Sequence, residues 1–294
     1  MSKPEEETWP ILRLIEWTAG YLKGKGSESP RLDAEVLLAS VRECSRIELY
    51  TAFDEHADAA TRAKYKALVQ RRAAGEPVAY LVGHKEFYSR DFMVTSAVLI
   101  PRPETEFVVI AALDFVASQS FNDPLRVADV GTGSGVLAIT LAKEMPDWHV
   151  VATDISPDAI EIARENVSRH EVGNQVEFRA GAFFGSDAEG SLFDLVVSNP
   201  PYVTSEEYND LPATVREYEP RIALVGGDEG TEVIEQLLEK SVSRVRVGGA
   251  VVIEISPMIE GRLTAVIENS EAWQLHQVYK DHSGHSRVMI AARS

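Results

Sequence analysis

The chain has 294 residues, 45% apolar and 26% charged, ordinary proportions for a soluble globular protein with room for one large domain and a smaller one. Its single cysteine, Cys44, excludes an intramolecular disulfide; no apolar run approaches the ~20 residues of a membrane span, and the acidic start Met1–Glu7 lacks the apolar core of a signal peptide, so a reducing, cytoplasmic setting is expected. The formal charge is −17 and residues 1–90 are balanced, so the acidic excess lies in residues 91–294, a surface that repels phosphate backbones and suits a basic protein partner or a cationic ligand, or simply serves solubility.

Residues 9–75 read as helices. Ile11, Leu12, Leu14 and Ile15 open an amphipathic segment, and Gly24, Gly26, Ser27 and Pro30 break it. Asp33–Val41 and Thr61–Ala74 follow as helices, the latter ended by Gly75 and Pro77. This predicts a small helical domain over residues 1–76. Residues 77–101 are rich in β-formers (Tyr80, Leu81, Val82, Phe87, Tyr88, Phe92, Val94, Val98, Leu99, Ile100) and read as a β-hairpin linker. From Arg102 strand and helix patterns alternate. Strands are predicted at Arg126–Val130, His149–Thr153, Val176–Arg179, Asp194–Ser198, Ala250–Ile255, Trp273–Tyr279 and Arg287–Ala292. The first four imply βαβ units and a mainly parallel sheet over residues 102–294. The last two are too close in sequence for a crossover and are expected as an antiparallel pair at the end of the sheet.

Two motifs carry chemistry. Strand Arg126–Val130 runs into Gly131-Thr132-Gly133-Ser134-Gly135 and then a helix, Val136–Lys143. Glycines let the backbone turn sharply and approach a ligand, and the helix N-terminus adds donors. Val136 stands where the dinucleotide fingerprint has a sixth-position glycine or alanine, so that match is imperfect. The next strand ends at Asp154, which can accept from both ribose hydroxyls of a nucleoside; Ser156 and Pro157 serve as cap and first residue of the following helix, leaving Asp154 for a ligand. Adenosyl cofactors and NAD both remain open at this point. Strand Asp194–Ser198 then ends in Asn199-Pro200-Pro201-Tyr202, where open α/β sheets bind ligands. Two prolines stiffen the turn. The Asn199 amide oxygen and the Pro200 carbonyl suit the two hydrogens of a planar NH₂ group, and the Tyr202 ring can pack on that flat group.

Together with Ile100–Glu106, Asp129–Gly135, Asp154–Asn166, Tyr218–Gly230 and His285–Val288, these residues make the chain resemble the HemK/PrmC family of glutamine N5-methyltransferases over nearly its whole length. Asn-Pro-Pro-Tyr alone is shared with adenine N6-methyltransferases; its combination with Arg102-Pro103-Glu104-Thr105-Glu106 is specific. The resemblance implies a Rossmann-like class I methyltransferase fold, a seven-stranded sheet with an antiparallel final strand, and an N-terminal helical domain for substrate recognition. It implies S-adenosylmethionine as cofactor, released as S-adenosylhomocysteine and contacted by Gly131, Thr132, Gly133, Ser134, Gly135, Asp154, Phe183, Asn199 and Thr105. It implies catalysis by Asn199, Pro200 and Tyr202, and a substrate glutamine held by Asn199, Pro200, Pro201 and Tyr202. The partner it implies is a class I peptide chain release factor carrying a Gly-Gly-Gln motif, met by a monomer without metal, membrane or direct nucleic-acid contact.

One departure stands out: an acidic residue that can accept from the adenine amino group is usual where this chain has Ala182, with Ser186 or Asp187 as possible replacements. The histidines form no metal pattern, and His282 and His285 read as a surface loop. Cys44 reads as a packing residue, Arg221 as an ion-pair partner in a lid, and Glu254 as a strand end near the site with no assigned role. Competing functions are an adenine methyltransferase of nucleic acid, which needs a basic groove and base flipping, a non-catalytic module that binds an adenosyl ligand or a translation factor, and a dinucleotide-dependent oxidoreductase.

Overall fold

The computed structural model describes residues 9–119, 121, 124–185 and 192–294. They divide into two compact units: the chain up to Gly83 with Ala213–Tyr218, and His84–Pro212 with Glu219–Ser294.

The first unit contains α1 (Ile11–Lys23), α2 (Pro30–Arg42), α3 (Arg46–Thr51), α4 (Ala59–Ala73) and α5 (Val78–Val82). On α1 the buried side chains Ile11, Leu14, Ile15, Thr18 and Leu22 follow helical spacing and form one stripe. They pack with Leu37 and Leu38 of α2, Tyr65 and Val69 of α4 and Leu81 of α5, with Cys44 partly buried beside them. A capping box of Ser45 and Glu48 starts α3, a helix the apolar pattern alone did not reveal. The expected β-character of Tyr80-Leu81-Val82 is not found. Pro77 precedes a short helix there and Gly83 ends it at φ 81°. These two residues and the burial of Leu81 override the strand propensity of the run.

In the second unit the hairpin is confined to β1 (His84–Phe87) and β2 (Arg90–Met93); Val98, Leu99 and Ile100 lie in irregular chain beyond it. A 3-10 turn at Pro103–Thr105 leads into α6 (Glu106–Ser118). Then come β3 (Arg126–Val130), α7 (Val136–Glu144), β4 (His149–Asp154), α8 (Pro157–Arg169), β5 (Val176–Ala180) and β6 (Phe193–Ser198). The chain continues through β7 (Val203–Thr204), α9 (Glu207–Asp210), α10 (Ala213–Arg216, part of the first unit) and β8 (Val225–Gly227). It ends with α11 (Glu232–Ser241), β9 (Val245–Glu254), α12 (Glu260–Glu268), β10 (Trp273–Lys280) and β11 (Ser286–Arg293).

Seven strands form one sheet in the order β10-β11-β9-β6-β3-β4-β5. The pairs among β9, β6, β3, β4 and β5 are parallel, and β11 runs antiparallel to both β9 and β10. The final strand therefore inserts between its hairpin partner and β9. Alternate strand residues feed two apolar layers. Val127, Leu195, Val197, Ala250 and Val252 face α6, α7 and Val167 of α8. Ala128, Val130, Val196, Val251 and Ile253 face α11 and α12. Because both faces are covered, the central strands read as continuous apolar runs. The chain passes from β3 outward to β4 and β5, then returns to β6 on the other side of β3. The gap between β3 and β6 is the topological switch point, where ligands bind in sheets of this type.

Candidate active site

Both sequence motifs emerge at that switch point. Asp129 pairs with Val197 across the β3–β6 ladder, and the Ser198 hydroxyl donates to the Val130 carbonyl at 2.7 Å, so the loops after the two strands leave side by side. They border a cavity of 420 Å³ whose lining includes Thr105, Gly131 to Ser134, Asp154, Ala182, Phe183, Asn199, Pro200 and Pro201. Pro101 and Thr105 line it, whereas Pro103 does not. A second depression of about 50 Å³ is lined by Arg102, Tyr202 and Leu224 and shares Leu99, Asn199, Pro200, Pro201 and Ala223 with the first. Asn199 and Pro200 thus stand between a large cavity and a small one, and Tyr202 belongs to the small one.

The glycine loop is folded for close approach. Gly133 has φ 56°, a left-handed conformation that a side chain would strain, and a Cβ there would point into open space. Gly135 caps α7 rather than bordering the cavity; a Cβ on it would meet Ile139 and Ala163 at 3.1 and 3.3 Å. The Asp154 carboxylate accepts from the Gly133 amide and from the Ser156 amide, both at 2.9 Å. It is thus engaged by the backbone, contrary to the expectation that it stands free. Each oxygen still keeps a lone pair. Burial raises its pKa against the pull of the Ser156, Gly133 and Ile155 amides. Ser156 caps α8 as expected, accepting from the Ala159 amide.

Asp129 lies beneath this loop and has a part the motif alone did not show. It is fully buried; its Oδ2 accepts from the Thr132 hydroxyl at 2.6 Å and the Ala138 amide at 3.0 Å, while Oδ1 has no partner. Burial pushes its carboxyl up to about 7. Asp154 on the cavity wall and Asp129 buried beneath the loop have no ion-pair partner among the described residues, which makes this end of the cavity complementary to a cation. A sulfonium cofactor carrying an adenosyl group fits that chemistry.

At the far end of β5, Phe183 is held at φ 54° and its carbonyl accepts from the Thr153 hydroxyl. The Lys240 ammonium sits 5.4 Å from the Phe183 ring centroid. Ala182 offers no side-chain acceptor, and Ser186 and Asp187 lie outside the described residues. Gln236, one turn before Lys240 on α11, lines the same cavity.

Around Asn199 the structure adds a partner that the sequence left unassigned. Thr105, 2% exposed, does not cap α6; its hydroxyl donates to Glu254 Oε2 at 2.6 Å and accepts from Asn199 Nδ2 at 3.0 Å. The Tyr202 hydroxyl donates to Glu254 Oε1 at 3.1 Å. Glu254, 1% exposed at the end of β9, is pushed up to about 7 by burial, and burial with the adjacent carboxylate pushes the Tyr202 phenol up as well. Among the described residues no donor reaches Asn199 Oδ1 or the Pro200 carbonyl. The signal for Glu254 was a lone acid ending an apolar strand, which becomes informative only once its burial is known.

Glu219 pins the neighbouring segment, accepting from the Ile100 amide at 3.2 Å and pairing with Arg102 while only 5% exposed. Among the described residues Arg221 forms no ion pair, contrary to expectation; its guanidinium lies over the Tyr208 ring at 5.1 Å. Among the described residues no group of three or more His, Cys, Asp or Glu side chains is placed to share a metal ion. His282 meets Phe107 edge-on, and His285 faces Asp281.

The PrmC N-terminal domain family matches residues 13–83, and the methyltransferase small domain family matches residues 115–215. The release factor glutamine methyltransferase of Rhodopirellula baltica is 45% identical over 291 residues, covering 98% of each chain. The chain belongs to the release factor glutamine methyltransferase family. Family members from Koribacter versatilis (39% identical, covering 93% of this chain and 95% of theirs) and Bacillus anthracis (31%, covering 96% and 98%) extend the likeness. Among solved structures, the catalytic domain of hMettl16 in complex with MAT2A 3'UTR hairpin 6 superposes with a TM-score of 0.57 at 13% identity, covering 76% of this chain and 81% of that one, a likeness of fold.

Proposed function

We propose that the chain transfers a methyl group from S-adenosylmethionine to the side-chain amide nitrogen of the glutamine in the Gly-Gly-Gln motif of class I peptide chain release factors. The observation that carries this reading is the pair of unpartnered acceptors, Asn199 Oδ1 and the Pro200 carbonyl, at the partition between the two cavities. A primary amide presents two hydrogens in one plane, and two fixed acceptors hold that plane still.

The residues bordering the large cavity would hold the cofactor: Gly131, Thr132, Gly133 and Ser134 around its amino-acid part, with Gly135 shaping that loop from behind as the cap of α7, Asp154 at the ribose, Phe183 at the adenine, and Thr105 and Asn199 near the transferring centre. Bound there, S-adenosylmethionine supplies a methyl group on an electron-poor sulfonium and leaves as S-adenosylhomocysteine. Asn199, Pro200, Pro201 and Tyr202 hold the glutamine from the small side. An amide nitrogen is a weak nucleophile because its lone pair is delocalised. Acceptors at both hydrogens favour the positive charge that builds on nitrogen during attack, and fixed orientation supplies much of the remaining advantage. One amide proton leaves after the N–C bond has formed, so no strong base is needed beforehand. The Tyr202 ring, its hydroxyl tied to Glu254, forms a rigid wall for the flat amide.

The same reading makes the enzyme a cytoplasmic monomer that meets its substrate as protein, without direct nucleic-acid contact. The net charge of −17, concentrated in residues 91–294, supports that choice over a nucleic-acid methyltransferase. Among the described residues no helix is long and apolar enough to cross a membrane. The test is methyl transfer to an intact class I release factor beside one whose motif glutamine is replaced by glutamate. Transfer to the first alone is expected; equal transfer to both, or transfer to neither, contradicts the proposal.

A further inference from the structure

The Asn199 amide could face the partition in either of two ways, and only one presents an oxygen to the substrate. We infer that Thr105 and Glu254 are positioning residues that fix this choice, the charge on Glu254 setting the direction of a hydrogen-bond relay that ends on Asn199. The inference rests on the reading of Asn199 Oδ1 as the substrate's acceptor.

The argument is one of donor inventory. A carboxylate can only accept. Glu254 Oε2 therefore takes the Thr105 hydroxyl proton, and Oε1 takes that of Tyr202. Having given its one proton to Glu254, Thr105 can only accept along its contact with Asn199, so the NH₂ side of Asn199 must face it. Oδ1 is left facing away, toward the place where the substrate amide is held. A neutral Glu254 loses this direction. A proton on Oε2 would be donated to Thr105, whose hydroxyl would turn and donate to Asn199; the amide would then flip and present hydrogens to hydrogens. Thr105 is 2% exposed and Glu254 1%, so the contact between them lies out of solvent.

The groups acting on Glu254 come from the 3-10 turn, the Asn199–Tyr202 loop and β11. Glu104 of the 3-10 turn favours its neutral form, and Arg287 of β11 favours its charged form, though Arg287 is itself paired with Asp281 at 2.8 Å. Thr105 and Tyr202 donate to the charged form, and burial opposes it, leaving the carboxyl at about 7. The relay is thus set to lose its direction as pH falls through neutrality.

The test follows the side-chain amide of Asn199 by nuclear magnetic resonance in the full chain, isotope-labelled at asparagine, with the signal assigned by its loss in Asn199→Ala. In the unaltered protein the two N–H resonances should shift together with a midpoint of about 7. The shift should vanish in Glu254→Gln. Thr105→Val should speed exchange of these hydrogens with solvent, and Thr105→Ser should restore protection. A signal that does not titrate, or one that titrates alike in Glu254→Gln, overturns the relay. In parallel, Thr105→Val should lower kcat for methyl transfer about tenfold to a hundredfold with KM for the release factor within about twofold, and Thr105→Ser should keep most of the rate. An unchanged kcat in Thr105→Val also overturns it. If the unaltered protein transfers no methyl group at all, the functional reading has failed, and the resonance experiment still decides the relay.

Discussion

Ala182, two residues beyond β5, lines the cavity beside Phe183; under the proposed cofactor placement, a side-chain acceptor there would meet the adenine amino group. Restoring one hydrogen bond at a half-open site is worth about 1 kcal/mol, roughly fivefold in affinity. Ala182→Asp should therefore tighten S-adenosylhomocysteine binding about fivefold in calorimetry; unchanged or weaker binding would show that the adenine edge is satisfied elsewhere, with Gln236 the first side chain to examine. At this scale the sequence was legible where a residue type is chemically unusual for its place. Asn199 between the end of β6 and two prolines, and Asp154 at the end of β4, were visible in that way as residues of the cavity wall. Glu254 was not, because an acid at a strand end is commonplace until its neighbours are known. Its burial and its contacts with Thr105 and Tyr202 come from residues 149 and 52 positions away in the chain.

The elements that carry the site are held by close backbone contact as well as by hydrogen bonds. The short strand β8 pairs with β7 directly after the Asn199–Tyr202 loop. A Cβ on Gly226 would sit 2.3 Å from the Pro201 carbonyl oxygen and 2.9 Å from its carbon, against backbone stiffened by two prolines. Gly226→Ala should displace Pro201, lower kcat at least about tenfold and destabilise the chain by about 1–3 kcal/mol. A variant with unchanged kcat would mean that the acceptors are positioned from the β6 side alone. Alternation of strand and helix patterns made the large elements readable, because 3.6-residue and two-residue periodicities differ over such lengths. Short elements were harder. The helix Val78–Val82 consists of good strand formers and exists because Pro77 and Gly83 bracket it. Arg46–Thr51 is too short for a periodic signal, although Ser45 and Glu48 already spelled its cap.

Across the whole molecule, the stability of the fold bears the cost of these buried acids. Burial pushes the Asp129 carboxyl up to about 7 in the folded chain against an ordinary 3.8. The sign follows directly: the unfolded chain ionises first, so the contribution of Asp129 is fully present below about pH 4 and is lost as pH rises toward about 7. The stability of the unaltered chain relative to Asp129→Asn should thus fall across that interval and level off above it, as read by calorimetric unfolding without ligand. A flat difference would mean that the carboxylate is already solvated or paired. The sheet's parallel centre followed from the βαβ pattern, and an antiparallel end followed from the short link before the last strand. The insertion of β11 between β9 and β10 did not, since strand order depends on which edges pair in space. The acidic balance of residues 91–294 was plain from composition, while the placing of Asp154 on the cavity wall and of Asp129 buried beneath the same glycine loop required the fold.

The most direct test of the central claim is peptide mass spectrometry of a purified class I release factor after incubation with the protein and S-adenosylmethionine, beside an Asn199→Ala control. The account predicts one added methyl group on the glutamine of the Gly-Gly-Gln peptide, lost or reduced at least about a hundredfold in the control. A methyl group on any other residue, or equal modification by the control, would contradict it.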